Sequence, residues 1–523
     1  MSIKKIFAYA LPLLFGVRFS HSQTPTWSGS VASVIYNHCS SCHHAGGIGP
    51  FTLMSYADAV NHAANIQSYV QARKMPPWMP NPGYSHFKGE RLLSDSDINT
   101  IVDWVNGGTL AGDTTQAPAP PVFLGGSQMP SIDQSIQFPE WTINSNIDQY
   151  RTFVVHSNYA QDFFLNQIEY LPGNGSVVHH MVLFYDTSAT SWDLDQSDPQ
   201  PGYESYGLGP LSGTARTISA WAPGSGIFEL PWNMGIRIPA GADIGLEIHY
   251  SPNESGQTDS TAVNFKFTTY PFPREVYSYA LLNHESSLTD GPLYIPANTV
   301  KTFHEKYKLL NYFGPVSLVS IFPHMHKVGT SIQSFAVDAG GDTTKLISIP
   351  NWNFHWQGFY EFQKLIPVMT QSTLWGEATY DNTTNNPDNP NDPPQDVSAG
   401  GHTTDEMMIF IFAFLAYEAG DENLILDSTI ASVSPNVHEQ KLPMHVYPNP
   451  VLDELNVGTE LKKSTALSFS LLNAEGQISR AWKKSVPGGA QAFSFSLKGL
   501  SPGIYFLKAV SPEGYAITKV IKQ

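Results

Sequence analysis

An exported chain of 523 residues with only two cysteines, Cys39 and Cys42, has to hold its fold without a framework of disulfides. Export is read from the N-terminus. Lys4-Lys5 precede an apolar run from Ile6 to Val17, and Ser20-His21-Ser22 offers a small-x-small cleavage site before Gln23. Residues 1–22 are therefore expected to be a signal peptide. A membrane anchor needs about 20 apolar residues, and Arg18 arrives too soon. No later stretch is long enough to span a bilayer, so no integral membrane segment is expected.

The two cysteines stand as Cys39-Ser40-Ser41-Cys42-His43. This is the spacing by which two thioethers fix a c-type haem, the following His serving as axial ligand. A redox or zinc pair would require a βαβ context or further Cys ligands, and the chain offers neither. Residues 23–112 read as a small α domain around the motif. Ser55 to Arg73 and Ser94 to Asn106 place apolar residues at three-and-four spacing. Ser94 can cap the second stretch, with Asp97 in its first turn and Ile98, Ile101, Val102 and Val105 on one face. Before it, Lys74-Met75-Pro76-Pro77-Trp78 puts a thioether in a rigid turn, so Met75 is the expected sixth haem ligand. Met79 and His62 compete for that role, and core packing is the other role open to either Met. The order of helix, C-x-x-C-H, Met-Pro loop and C-terminal helix resembles class I cytochromes c, which implies one-electron transfer.

Beyond this domain the composition favours strands. Charged residues are only 14%, aromatics reach 12%, and 41 Gly and 39 Pro punctuate the chain. Residues 113–126, rich in Thr, Ala and Pro, read as a linker. Residues 127–433 alternate short strands with turns and fit two β-sandwiches, 127–273 and 274–433, with Pro271-Phe272-Pro273 as the seam. Residues 444–523 form a further small β-sandwich, marked by strict alternation in Phe493-Ser-Phe-Ser-Leu497. The expected class is thus multidomain, with a small all-α domain followed by all-β sandwiches. A formal charge of −17 repels nucleic acid, and none is expected as a partner.

Among 18 His, clusters carry more weight than single residues. Three stand out: His179-His180-Met181, Glu247-Ile248-His249-Tyr250 and His324-Met325-His326. Residues two apart in a strand share a face, so His324 and His326 can grip one metal as neutral imidazoles. Adjacent His179 and His180 point to opposite faces of a regular strand, so joint ligation requires a bulge or different ring nitrogens. Imidazole and thioether ligands without thiolate point to copper, Cu(I) above all. Met407, in Asp405-Glu406-Met407, is the candidate thioether.

These motifs, in this order and at these separations, resemble the copper type II, ascorbate-dependent monooxygenases, the group of peptidylglycine α-hydroxylating and dopamine β-monooxygenases. The resemblance implies two jelly-roll sandwiches carrying one copper each. By position, His179, His180 and His249 would hold the electron-transfer copper. His324, His326 and Met407 would hold the copper that binds O2, and these three are the expected catalytic residues. The chemistry implied is oxygen insertion into an aliphatic C–H bond of a small-molecule substrate. Electrons would come from the haem, from ascorbate or from another redox protein.

Two departures bear on this resemblance. The family's disulfides cannot form here. The positions that clamp a carboxylate in the peptide-amidating members are Phe322, Ile409 and Ile411, so a glycine-extended peptide is not the expected substrate, and an apolar pocket would suit a neutral or aromatic one. Phe322 and the two Ile can equally be core residues. Glu406, His355 and His402 can support the ligands through hydrogen bonds, with packing or surface roles as the alternative.

Tyr447-Pro-Asn-Pro450, the strand after it, and Gly503-Ile-Tyr-Phe-Leu-Lys508 resemble the type A sorting domain of the type IX secretion system. This implies passage through the periplasm to the cell surface or medium, with that machinery as a partner. The competing functional expectation is a non-enzymatic secreted copper-binding and electron-transfer protein, which would bind metal and cycle its haem without substrate-dependent O2 uptake.

Overall fold

The computed structural model describes residues 24–123, 126–205, 214–270, 272–309, 314–427, 442–473, 478–511 and 514–523. The signal expected at 1–22 lies outside them, as do Pro271 of the expected seam and residues 428–433 at the end of the second expected sandwich. Two compact units emerge, a helical one and a β one.

The helical unit comprises residues 24–45, 49–76 and 92–123. Its helices are Ala32–His38, Tyr56–Asn61, Ala63–Gln71 and Asp95–Asn106. Ser55 and Asp58 form a reciprocal cap at one start, and Ser94 accepts from Asp97 N at another. The stretch expected as one helix from Ser55 to Arg73 is broken at His62, whose backbone leaves helical geometry at φ −114° and ψ 10°. Trp27, Ile35, Ile66, Ile101 and Trp104 form the core. Ala117 packs against it, so the start of the expected linker belongs to this unit. Residues 77–91, expected in the α domain, belong to the β unit instead. Phe87 explains why: it is buried against Phe362 and Tyr360 of the second sandwich.

The β unit is a multi-sheet, sandwich-like assembly. In the first sandwich, Asp243–Tyr250 lies between Gln149–His156 and Val178–Asp186, antiparallel to both. A six-stranded sheet packs on its inner face, where Ile244, Leu246, Ile248 and Tyr250 enter the core. The period of two then sends His249 to the other face. Parallel pairing of Arg274–Glu275 with Met234–Gly235 extends this sandwich past the expected seam. In the second sandwich, Ile409–Ala416 lies between Tyr277–Asn283 and Val316–His324. Met408, Phe410 and Phe412 fill its own core. On the opposite face, Ala413 and Leu415, with Val319 and Leu365, join the core of the first sandwich, while Met407, Ile409 and Ile411 form a separate apolar patch with Phe322. Residues 444–523 make two further sheets around Leu455, Phe469, Leu507 and Val520. Among the described residues no helix is long and apolar enough to cross a membrane.

Candidate metal centres

Pairing of Asp243–Tyr250 with Val178–Asp186 is regular up to His249 opposite His180, after which Tyr250 lies opposite Val178. His179 is therefore the extra residue of a β-bulge, and the bulge turns two adjacent imidazoles toward one point. His179, His180 and His249 each offer a ligand atom, all within 4.8 Å of one another. Nδ1 of His180 lies 3.2 Å from Nδ1 of His179 and 3.3 Å from Nδ1 of His249. His249 Nε2 stands 2.9 Å from the Asp148 carboxylate, which can only accept, so Nε2 carries the proton and Nδ1 keeps its lone pair. Tyr150 stacks on His249 at 4.2 Å. Burial pushes the His179 imidazole down to about 3 and His180 well below its usual range, with the neighbouring imidazoles adding to the effect. The triad is neutral near pH 7, the form that ligates.

The second cluster is drier. His324 and His326 are 6% and 2% exposed, with ring centroids 5.1 Å apart. His324 Nδ1 donates to Gln357 Oε1 at 2.6 Å, and Gln357 Nε2 donates to Phe354 O, which fixes the amide orientation. His324 Nε2 is left buried with no partner, the kind of orphaned lone pair that a metal satisfies. His326 Nδ1 donates to the Asp405 carbonyl. Burial lowers His324 to about 3 and His326 to about 4. Glu406 accepts from the backbone N–H groups of His326, Val328, Gly329 and Met407, tying both ligand segments together. Burial raises its carboxyl to about 8 against those four donors. Met407 lies in the patch with Phe322, Ile409 and Ile411, and Phe322 stacks 6.0 Å from His324.

One loop, residues 350–359, serves both clusters. His355 lies 5.4 Å from His179, and Phe354 stands 6.4 Å from His249 and 6.0 Å from His326. Trp352 Nε1 donates to His326 O. Asp148, bonded to His249, also meets Lys327, the neighbour of His326, at 3.5 Å. Asp148, Gln357, Phe354 and Lys327 support the ligands yet belong to none of the sequence motifs. The density of aromatic and His residues in Trp352-Asn-Phe-His-Trp356 was the available signal. His402 is exposed, and its backbone N–H donates to Asp405.

In the helical unit Cys39 and Cys42 are free thiols. Burial pushes Cys39 up to about 12, the reverse of what a redox pair needs. His43 Nδ1 donates to Phe51 O at 2.9 Å, which leaves Nε2 unprotonated. A side chain at Gly49 would come within 2.6 Å of His43 Nδ1, so the returning loop passes close enough to require glycine. His62 stacks on Phe51 at 3.7 Å, and Phe51 lies 4.7 Å from His43. Met75 is half-buried in this unit, whereas Met79 packs against the second β core.

Comparison with known proteins identifies one segment. Residues 445–523 match the secretion system C-terminal sorting domain, here of the type IX kind, so the chain is addressed to secretion or the cell surface and to that machinery. No curated protein sequence matches the chain. Solved structures resemble it only faintly. The β-glucuronidase of Faecalibacterium prausnitzii is 10% identical at a TM-score of 0.13, covering 47% of this chain and 46% of its own. A putative β-galactosidase from Bacteroides fragilis is 10% identical at a TM-score of 0.13, covering 47% and 40%. The BSP domain of a biofilm-associated protein is 10% identical at a TM-score of 0.15, covering 77% and 84%. The chain thus spans less than half the length of the two glycosidases.

Proposed function

We propose that this chain is a secreted copper-dependent monooxygenase that hydroxylates an aliphatic C–H bond of a small molecule, its own c-type haem relaying electrons. The observation that carries the reading is the pair of imidazole clusters: a converging triad at His179, His180 and His249, with the His249 tautomer set by Asp148, and the orphaned Nε2 of His324 beside His326. Neutral nitrogen donors with a thioether and no thiolate suit copper. Copper held there would supply one-electron chemistry and O2 binding, and haem c would supply single electrons.

The chain's own residues do the rest. Cys39 and Cys42 would anchor the haem, with His43 Nε2 and Met75 as its axial ligands. Asp148 and Gln357 set which nitrogen of His249 and His324 faces the metal. Phe322, Ile409 and Ile411 keep the Met407 side of the second centre dry. One oxygen atom of O2 enters the C–H bond and the other leaves as water, consuming two electrons and two protons from an external reductant such as ascorbate or another redox protein.

Metal analysis of the mature, haem-loaded protein tests this reading. Two coppers falling to about one in the His324→Ala, His326→Ala double variant, with the haem unchanged, is the expected result. No copper in the copper-replete wild type would sink it.

A further inference from the structure

The β unit contains a cavity of about 220 Å³ that none of the expected roles uses. Its walls come from three stretches: the 77–91 segment, the turn after strand Arg216–Trp221, and the end of the 350–359 loop. Trp78, Trp221, Trp356 and Phe359 are among its aromatic lining residues. The cavity reaches toward both centres. Gln357, on its wall, is the acceptor for His324, and Phe359, also on its wall, packs against the patch of Phe322 and Met407. Trp221 lies opposite Met181, the residue after His180.

Two cations line it, and they differ. Lys88 is engaged by Glu361 at 3.3 Å. Arg91 donates through one N–H to Pro223 O at 2.9 Å, its guanidinium 5.8 Å from the Trp78 ring. Among the described residues no carboxylate lies within salt-bridge distance of Arg91. A half-buried guanidinium with donors to spare is a receptor for a carboxylate. The indole N–H of Trp78 is buried and also finds no acceptor in the protein. A donor-rich corner beside aromatic lining residues selects a flat ring bearing an anionic oxygen group.

We propose that this cavity binds a small aromatic carboxylate, its ring among Trp221, Trp356 and Phe359 and its carboxylate on Arg91. As the substrate site of the second centre this rests on the monooxygenase reading, whereas the binding itself does not. It differs from the carboxylate clamp absent at Phe322, Ile409 and Ile411, because the cation here comes from the 77–91 segment.

The test is calorimetric titration of the haem-loaded, copper-free full chain with indole-3-acetate and with its neutral analogue indole-3-acetamide. The acid is expected to bind about tenfold more tightly than the amide. Arg91→Met should erase that preference while leaving amide binding in place, and Arg91→Lys should keep part of it. Trp221→Ala should weaken both probes. Preserved amide binding shows that the Met variant is folded. Absence of binding by either probe, or a preference that survives Arg91→Met, overturns the proposal. Arg91-dependent binding without probe-dependent O2 uptake after copper loading would confirm the site and remove its role as the substrate site of the second centre, leaving the copper analysis to decide the monooxygenase reading.

Discussion

The two imidazole clusters both grow from strands, one at a bulge and one at a strand end, and differ in what closes them. At His179, His180 and His249 a bulge gathers three nitrogens, two of the rings are only half-buried, and a charged Asp148 orients the third. At His324 and His326 the rings are buried, a neutral Gln357 does the orienting, and the remaining side is an apolar patch holding Met407. A nitrogen-complete, partly wet cluster suits a metal that only changes oxidation state. A cluster with two fixed imidazoles, a soft neighbour and a dry flank suits one that keeps a position for a reactant.

Removing a ligand breaks that contrast most strongly. His249→Ala is expected to cost one copper equivalent by metal analysis while the second centre and the haem absorbance persist; loss of both coppers would show that the clusters act as one site. Substituting an orienting group is gentler. Gln357→Leu should weaken copper at the second centre by about 10- to 100-fold in competition titrations and leave the first unchanged. Asp148→Asn keeps an acceptor for His249, so its effect on the first centre should be smaller, about tenfold or less. Met407→Ile sharpens the comparison by oxidation state: Cu(I) affinity should fall more than Cu(II) affinity, and equal losses would assign Met407 to packing alone.

A further effect, on stability and not on metal, lies away from both centres. Glu305 is fully buried opposite Gly376, and burial raises its carboxyl to about 9 from an ordinary 4.5. A group whose folded value exceeds its unfolded one loses stabilising power as pH climbs between the two. Glu305→Gln should therefore melt like the wild type near pH 4.5 and be more stable, by roughly 1–3 kcal/mol, toward pH 9. A constant difference across that range would show that Glu305 does not change charge there.

Part of the site is legible because His180, His249 and His324 sit in strands. The need for a bulge at His179 follows from the period of two, whereas the strand Val316–His324 ends before His326, so the approach of those two rings comes from the turn beyond it. Gln357, Phe354 and Asp148 were not legible, since they lie in irregular segments whose spacing says nothing about what they will touch. The 77–91 segment misled for a related reason. Flanked by helices, it read as part of the α domain, whereas Phe87 finds its buried surface on Phe362 and Tyr360.

What the sequence determined by itself was local: the C-x-x-C-H spacing, the alternation that makes strands, the sorting segment, and the residue types able to ligate. Tertiary structure decided which of those residues meet. It placed His179 on a bulge, swung the 350–359 loop across both clusters and closed a cavity with Arg91, because contacts between segments hundreds of residues apart depend on the packing of whole sheets and not on any pattern along the chain.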